Sequence, residues 1–227
     1  IRKYGLKGNF IDRSEDTFEN EFFVQDEASQ ICTEVLGAKE NDLVIDVCSC
    51  PGSKSFGAAI DMNNVGKILA FDLHAKKLPL ITNGAERLGI DIITAAQCDG
   101  RVSIDELVEK ADRVLCDVPC SGFGVLAKKP ELRYKDPTES DALPDIQLAI
   151  LKNASRYVKM GGTLVYSTCT LFPAENEQNI QRFLKDNKNF VLTPFEYGKL
   201  SAPEGYLTLY PDTHGTDGFF IAKLTRI

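Results

Sequence analysis

A doubly wound α/β domain is the fold this sequence predicts, and two observations predict it. From Asn41 onward, short β-branched runs alternate with longer amphipathic stretches, the pattern of a parallel sheet with crossover helices. Five strand–helix units are then followed by two strand-like runs without a long helix between them, so the last strands should form a hairpin-like end of a mostly parallel, seven-stranded sheet.

The elements follow in order. Residues 26–36 read as a helix, with Ile31, Val35 and Leu36 at helical spacing and Gly37 where a left-handed cap commonly ends one; it is expected to cover the sheet edge. Strands are expected at 43–47, 67–71, 91–95, 113–117 and 163–167, each a short apolar or β-branched run, with two late ones at 190–193 and 219–224. The crossover helices fall at 53–61, 75–88, 104–110, 143–159 and 174–187. In such a sheet ligands bind beyond the carboxyl ends of the strands, near the point where strand order reverses.

Composition narrows the class. A chain of 227 residues with 43% hydrophobic and 26% charged residues is long enough for one large core, and no run approaches the ~18 apolar residues of a membrane span. Seven cysteines without framework spacing point to reduced thiols and a cytoplasmic address. Zinc is not expected: Cys48-x-Cys50 and the Cys116 to Cys120 spacing are not paired Cys-x-x-Cys sets, and His74 and His214 are the only histidines. The net charge of −7 is unusual for a nucleic-acid enzyme, but Lys128, Lys129, Arg133 and Lys135 form a local basic cluster that could guide a phosphate backbone.

The first chemical signal is the stretch Val44-Ile45-Asp46-Val47-Cys48-Ser49-Cys50-Pro51-Gly52-Ser53-Lys54, a buried-type strand that breaks into a small-residue loop and then a helix. Such a loop brings backbone amides close to a ligand, yet it matches neither the phosphate loop nor the dinucleotide fingerprint. The next strand ends at Asp72, about twenty residues on, where a carboxylate can accept hydrogen bonds from both ribose hydroxyls. Asp99 follows the third strand and Asp117 ends the fourth, so three acids should line one rim and suit an adenosine-containing cofactor. Each alone reads equally as a helix cap or turn former. Two thiols reach the same rim, Cys120 in Asp117-Val118-Pro119-Cys120-Ser121-Gly122 and Cys169 in Tyr166-Ser167-Thr168-Cys169-Thr170. A single strand-end cysteine is usually just a small buried side chain; two in adjacent loops beside one cofactor rim point to catalysis.

On these motifs the chain resembles the Sun family of ribosomal RNA cytosine-5 methyltransferases, in particular its bacterial small-subunit branch. The resemblance runs from about Phe23 to the end. It is carried by Gln25-Asp26-Glu27-Ala28-Ser29-Gln30, the Asp46 to Lys54 loop, Asp117 to Gly122, Ser167-Thr168-Cys169, Glu175-Asn176-Glu177 and Gly215-Thr216-Asp217-Gly218-Phe219-Phe220. It implies a Rossmann-like, S-adenosylmethionine-dependent fold and an RNA substrate, the small-subunit (16S) ribosomal RNA. It further implies cofactor contacts from Cys48, Ser49, Cys50, Pro51, Gly52, Ser53 and Lys54, with Asp72 at the ribose, Asp99 near the adenine and Asp117 facing both cofactor and base. The chain departs from the family pattern at Cys50, Ser53 and Ser55, and has Lys77 where an arginine is common. Residues 25–227 are then the catalytic domain and 1–24, which open at Ile1 with little apolar patterning, the remnant of an N-terminal RNA-binding or linker region.

Methylating carbon 5 of cytosine calls for covalent catalysis, because that carbon is a poor nucleophile until a thiolate has added to carbon 6. Lys54 and a positively charged cofactor are candidate stabilisers of that thiolate, and Asp117 can hydrogen-bond the amino edge of the base. Chemistry alone leaves open which thiol attacks; the resemblance implies Cys169, with Cys120 acting in product release. The target has to leave its stack, which favours a single-stranded or loop cytosine. The rivals are a DNA cytosine-5 methyltransferase, which generally carries an added recognition region absent here, a small-molecule methyltransferase, and a catalytically silent cofactor-binding RNA assembly factor. The last two have no use for two thiols at one rim.

Overall fold

Val44 and Ile45 are neighbours in sequence but face opposite sides of a sheet, and each belongs to a different buried cluster, as the two-residue period of a strand requires. The same holds for Val114 and Leu115, and for Leu164 and Val165. The computed structural model describes residues 23–227 and builds them into α1 (Glu27–Leu36), β1 (Leu43–Asp46), α2 (Ser53–Asp61), β2 (Lys67–Asp72), α3 (Leu78–Arg87), β3 (Ile93–Gln97), β4 (Ala111–Asp117), α4 (Leu143–Tyr157), β5 (Val158–Thr168), α5 (Glu177–Asp186), β6 (Phe190–Leu192), β7 (Phe195–Tyr197), β8 (Leu200–Ala202), β9 (Tyr206–Leu209), α6 (Pro211–His214) and β10 (Phe219–Arg226).

The main sheet runs β3-β2-β1-β4-β5-β10-β6. The first five strands are parallel, and β10 is antiparallel to both β5 and β6. Seven strands thus form the path, mostly parallel, and β9 is an eighth: it pairs with Phe219–Ala222 of β10 while β6 pairs with the Leu224–Arg226 end. One sheet face is covered by α1, α2 and α3, the other by α4 and α5. Strand order reverses between β1 and β4, and the site opens there.

Several expectations are corrected. The first helix does not cover the sheet edge: Ala28, Ile31, Cys32, Val35 and Leu36 bury it against Leu115, Val165 and Ile221, across the face of β4, β5 and β10. Asp26 caps its start by accepting from the Ala28 amide, and Gly37 ends it in the left-handed region. The helix expected over 104–110 is one 3-10 turn, Asp105–Leu107, because its flanking amides bond elsewhere: Ile104 donates to the Tyr157 hydroxyl (3.0 Å) and Glu109 to the Arg156 carbonyl (2.8 Å). The segment 75–88 starts as a 3-10 turn and becomes α3 only at Leu78, since Pro79 has no N–H for the carbonyl of Ala75. The segment 174–187 is helical only from Glu177, as Asn176 bonds to the β5 end instead. The late region holds β7, β8 and β9, each three or four residues and too short to show a period in sequence. The expectation for residues 1–22 lies outside the described residues.

Candidate active site

The carboxyl ends of β1, β2, β3 and β4 open into one cleft of about 740 Å³. Asp72, Asp99, Asp117, Cys120 and Cys169 all line it, so the three acids and two thiols expected at one rim share one wall. The loop after β1 contributes unevenly. Cys48 and Cys50 line the cleft, while Ser49, Pro51, Gly52, Ser53 and Lys54 lie outside its lining. Ser49 turns inward to the Ser55 hydroxyl (2.9 Å), which donates to the buried Asp46 (2.7 Å); burial pushes the Asp46 carboxyl up to about 6. Gly52 sits at φ 108°, and a Cβ there would lie 2.7 Å from the Phe56 ring, so the turn into α2 needs glycine.

The acids are held differently. Asp72 is nearly buried at the end of β2 and accepts from the His74 amide at 2.8 Å. Asp99 is gripped by Arg101, through Nε to Oδ1 (2.9 Å), Nη2 to Oδ2 (2.7 Å) and the backbone amide (2.9 Å). Those side-chain and then backbone hydrogen bonds hold the Asp99 carboxyl below the usual range. Asp117 accepts from Lys54 Nζ (2.6 Å) on one oxygen and from the Ser167 hydroxyl (2.7 Å) on the other. Burial, the largest single influence, pulls Lys54 down, but the charge and hydrogen bond of Asp117 together with Cys32 and Asp46 outweigh it, so the ammonium stays above its ordinary value.

The two sulfurs lie 3.2 Å apart, and the Cys169 amide points at Cys120 Sγ (3.3 Å). The hydrogen bond between them, then burial, raises Cys120. The same bond lowers Cys169, where Lys54 and Lys129 work with it against burial and the Asp117 charge. Among the seven cysteines Cys169 alone is lowered. Burial raises the other five, most of all Cys32, Cys48 and Cys116.

The basic cluster splits. Lys129, Leu132 and Lys135 recur every third residue through the 3-10 turn Pro130–Tyr134, share a face and line the cleft. Lys128 is instead bound by Asp26 (2.8 Å) and Asp217 (2.6 Å), tying the start of α1 and the loop before β10 to this segment. Arg133 lies outside the lining.

Sequence reasoning left His74, Gly100 and Arg101 out of the site, and noted Lys77 only as a departure from the family pattern; all four line the cleft. Their signal was adjacency: each follows a strand-end acid within a few positions. It also missed Ile146 and Ile150 from α4, whose i, i+4 spacing reads as any core helix. Among the described residues no group of three or more His, Cys, Asp or Glu side chains could hold a metal ion, and no helix is long and apolar enough to cross a membrane.

Comparison with known proteins places the chain among relatives. Residues 33–225 match the family model described as 16S rRNA methyltransferase RsmB/F. A probable ribosomal RNA small subunit methyltransferase B of Bacillus subtilis (strain 168) is 40% identical over 220 residues, covering 92% of this chain and 49% of the relative. A ribosomal RNA small subunit methyltransferase F of Shewanella amazonensis is 32% identical over 220 residues, 92% and 47% of the two chains. The chain thus spans about half the length of the curated relatives it matches. The crystal structure of NSun6 from Pyrococcus horikoshii with SFG superposes with a TM-score of 0.82 at 32% identity, covering 94% of this chain and 55% of that one. The fold is accordingly Rossmann-like, and by the extent of these matches the chain belongs to the 16S rRNA methyltransferase RsmB/F family.

Proposed function

We propose that this chain transfers a methyl group from S-adenosylmethionine to carbon 5 of a cytosine in RNA, the small-subunit ribosomal RNA, through a covalent bond between Cys169 and the base. The observation that carries the reading is the thiol pair: the one cysteine with a lowered pKa sits 3.2 Å from a second thiol, in a cleft also lined by Asp117. The small-subunit ribosomal RNA methyltransferases among its relatives support the substrate class. SFG, an S-adenosylmethionine analogue named with the archaeal structure, supports the cofactor.

The residues present fit that cofactor. The cleft volume lies within the range of ~300–1,000 Å³ usual for small-molecule sites. Asp72 would offer a nearly buried carboxylate to the ribose hydroxyls, Asp99, bonded to Arg101, would face the adenine, and Cys48 and Cys50 would bring the β1 loop alongside. Pro51, Gly52 and Ser53 shape that loop, Ser49 braces it, and Lys54 acts through Asp117. When bound, S-adenosylmethionine supplies a methyl group activated by a sulfonium centre.

The chain's own residues, with one water, do the rest. The Cys169 thiolate adds to carbon 6, forming an S–C bond and placing an electron pair at carbon 5, which takes the methyl group as its bond to the sulfonium breaks and leaves the electrons of that bond on a neutral thioether sulfur. Asp117, oriented by Lys54 and Ser167, accepts from the amino edge of the base. A water molecule acting as base then takes the proton from carbon 5, the C–H electrons form the C5–C6 double bond, and the S–C6 bond breaks with its electrons returning to Cys169. Cys120, within hydrogen-bond reach of that sulfur, serves this release. Lys129 and Lys135 face the cleft from the side where the RNA backbone would enter. In this reading residues 25–227 are the catalytic domain and 1–24 belong to an N-terminal RNA-binding or linker region.

The test is asymmetric. With S-adenosylmethionine and target RNA, Cys169→Ala should abolish methylation and leave no covalent complex on a denaturing gel. Cys120→Ala should accumulate one. The opposite pattern would assign attack to Cys120 and overturn the mechanism.

A further inference from the structure

Both thiol loops are held from behind by the same pair of buried residues. Glu175 is 2% exposed, on the segment between β5 and α5. Its Oε2 accepts from the Ser121 backbone amide (3.0 Å) and from Gln147 Nε2 (2.7 Å), and its own carbonyl accepts from the Tyr166 hydroxyl (2.6 Å). Asn176 accepts from the Thr168 hydroxyl (2.6 Å) and donates to the Thr170 carbonyl (3.0 Å). Gln147, from α4, also donates to the Pro119 carbonyl (3.0 Å), and the Ser121 and Thr170 hydroxyls meet at 2.7 Å. Each thiol is therefore gripped at the residue before it and the residue after it: Pro119 and Ser121 around Cys120, Thr168 and Thr170 around Cys169.

Glu175, Asn176 and Gln147 do not line the cleft. Glu175 also carries a cost, because its Oε1 is buried without a hydrogen-bond partner and, among the described residues, no ion pair reaches it. A site built for stability alone gains nothing from such a group. One built to fix the Cys120 loop against α4 does, because a single carboxylate oxygen accepts from both, while the adjacent Asn176 holds the Cys169 loop.

We propose that Glu175, with Asn176 and Gln147, is a positioning residue that sets the separation of the Cys120 and Cys169 sulfurs and so keeps them in hydrogen-bond contact. The proposal rests on the reading above but is tested without RNA or cofactor. Both hydrogen bonds of Glu175 converge on Oε2, so Glu175→Gln can keep them with its amide oxygen and lose only the charge. Glu175→Ala loses both.

The experiment follows Cys169 alkylation by iodoacetamide against pH, with peptide mapping to identify the thiol and a thermal melt to confirm folding. Glu175→Ala should move the Cys169 midpoint upward by about half a pH unit or more, because the Cys120 sulfur drifts out of hydrogen-bond reach. Glu175→Gln should return it close to wild type. In the methylation assay the alanine variant should also lengthen the life of the covalent RNA complex. If Glu175→Ala fails to fold, Gln147→Leu, which frees the Pro119 side of the same grip, carries the same expectation. A folded alanine or leucine variant with an unchanged midpoint overturns the proposal. So does a glutamine variant shifted as far as alanine, which would make the charge, not the geometry, the cause. Failure of the covalent mechanism would register separately, as methylation persisting in Cys169→Ala.

Discussion

At Cys169 the deciding interaction is a single S–H···S contact. Two thiols held apart would both be raised by burial; here the Cys120 and Cys169 sulfurs share one hydrogen bond, and the pair splits, Cys120 upward and Cys169 downward. The lowered partner contributes thiolate below the ordinary thiol range, and removing its hydrogen-bond partner must raise it. Cys120→Ala is thus expected to shift the pH midpoint of Cys169 alkylation upward, leaving the thiol less reactive at neutral pH. An unchanged midpoint would transfer the cause to Lys54 and Lys129, the two cations that act on the same sulfur. Both thiols were legible in the sequence as strand-end cysteines. Their inequality was not, because it depends on a contact across 49 residues of chain.

At the scale of elements, the 3-10 turn Pro130–Tyr134 sorts four basic residues that look alike in sequence. Lys129 and Lys135, which flank it, line the cleft, whereas Lys128 neutralises Asp26 and Asp217. Lys129→Ala and Lys135→Ala should each weaken RNA binding and flatten the dependence of log affinity on log salt by about 0.7, the value for one contact to a single strand. Lys128→Ala should lower thermal stability and leave the slope in place. Equal slopes for all three variants would mean that the turn does not aim these side chains. The strand-end acids were readable for a related reason: a parallel strand that ends in a loop delivers its last residue to one rim, whatever its neighbours are. Arg101 on Asp99 and α4 over the cleft were not, since nothing local announces them.

For the whole molecule, the α1 side of the sheet carries its hydrophobic core close to the start of the described chain. Phe23 is buried and meets Phe56 edge-on, ring centroids 5.7 Å apart, directly beneath the α2 turn. A chain starting at residue 25 loses this ring. Deleting residues 1–24 rather than 1–22 should therefore cost roughly 2–3 kcal/mol and lower Tm by roughly 5–10 °C, measured by calorimetry on the two truncations. Equal melting temperatures would show that Phe23 adds nothing to the core and that 25 is a sound start for the catalytic domain.

The alternation of strand and helix, the acids and thiols at strand ends and the cap at Gly37 were all set by local chemistry, since period, turn residues and chain order act over a few positions. These were enough to give the fold class and a single rim. Only the tertiary structure decided what required distant segments to meet: α1 on the sheet face and not its edge, the 3-10 turn at 105–107 in place of a helix over 104–110, β6 and β9 sharing one side of β10, and the grip of Glu175 and Asn176 on the two thiol loops. The physical reason is the same in each case. A backbone amide or buried carboxylate bonds to whichever partner packing brings near it, and that partner lies tens of residues away in the chain.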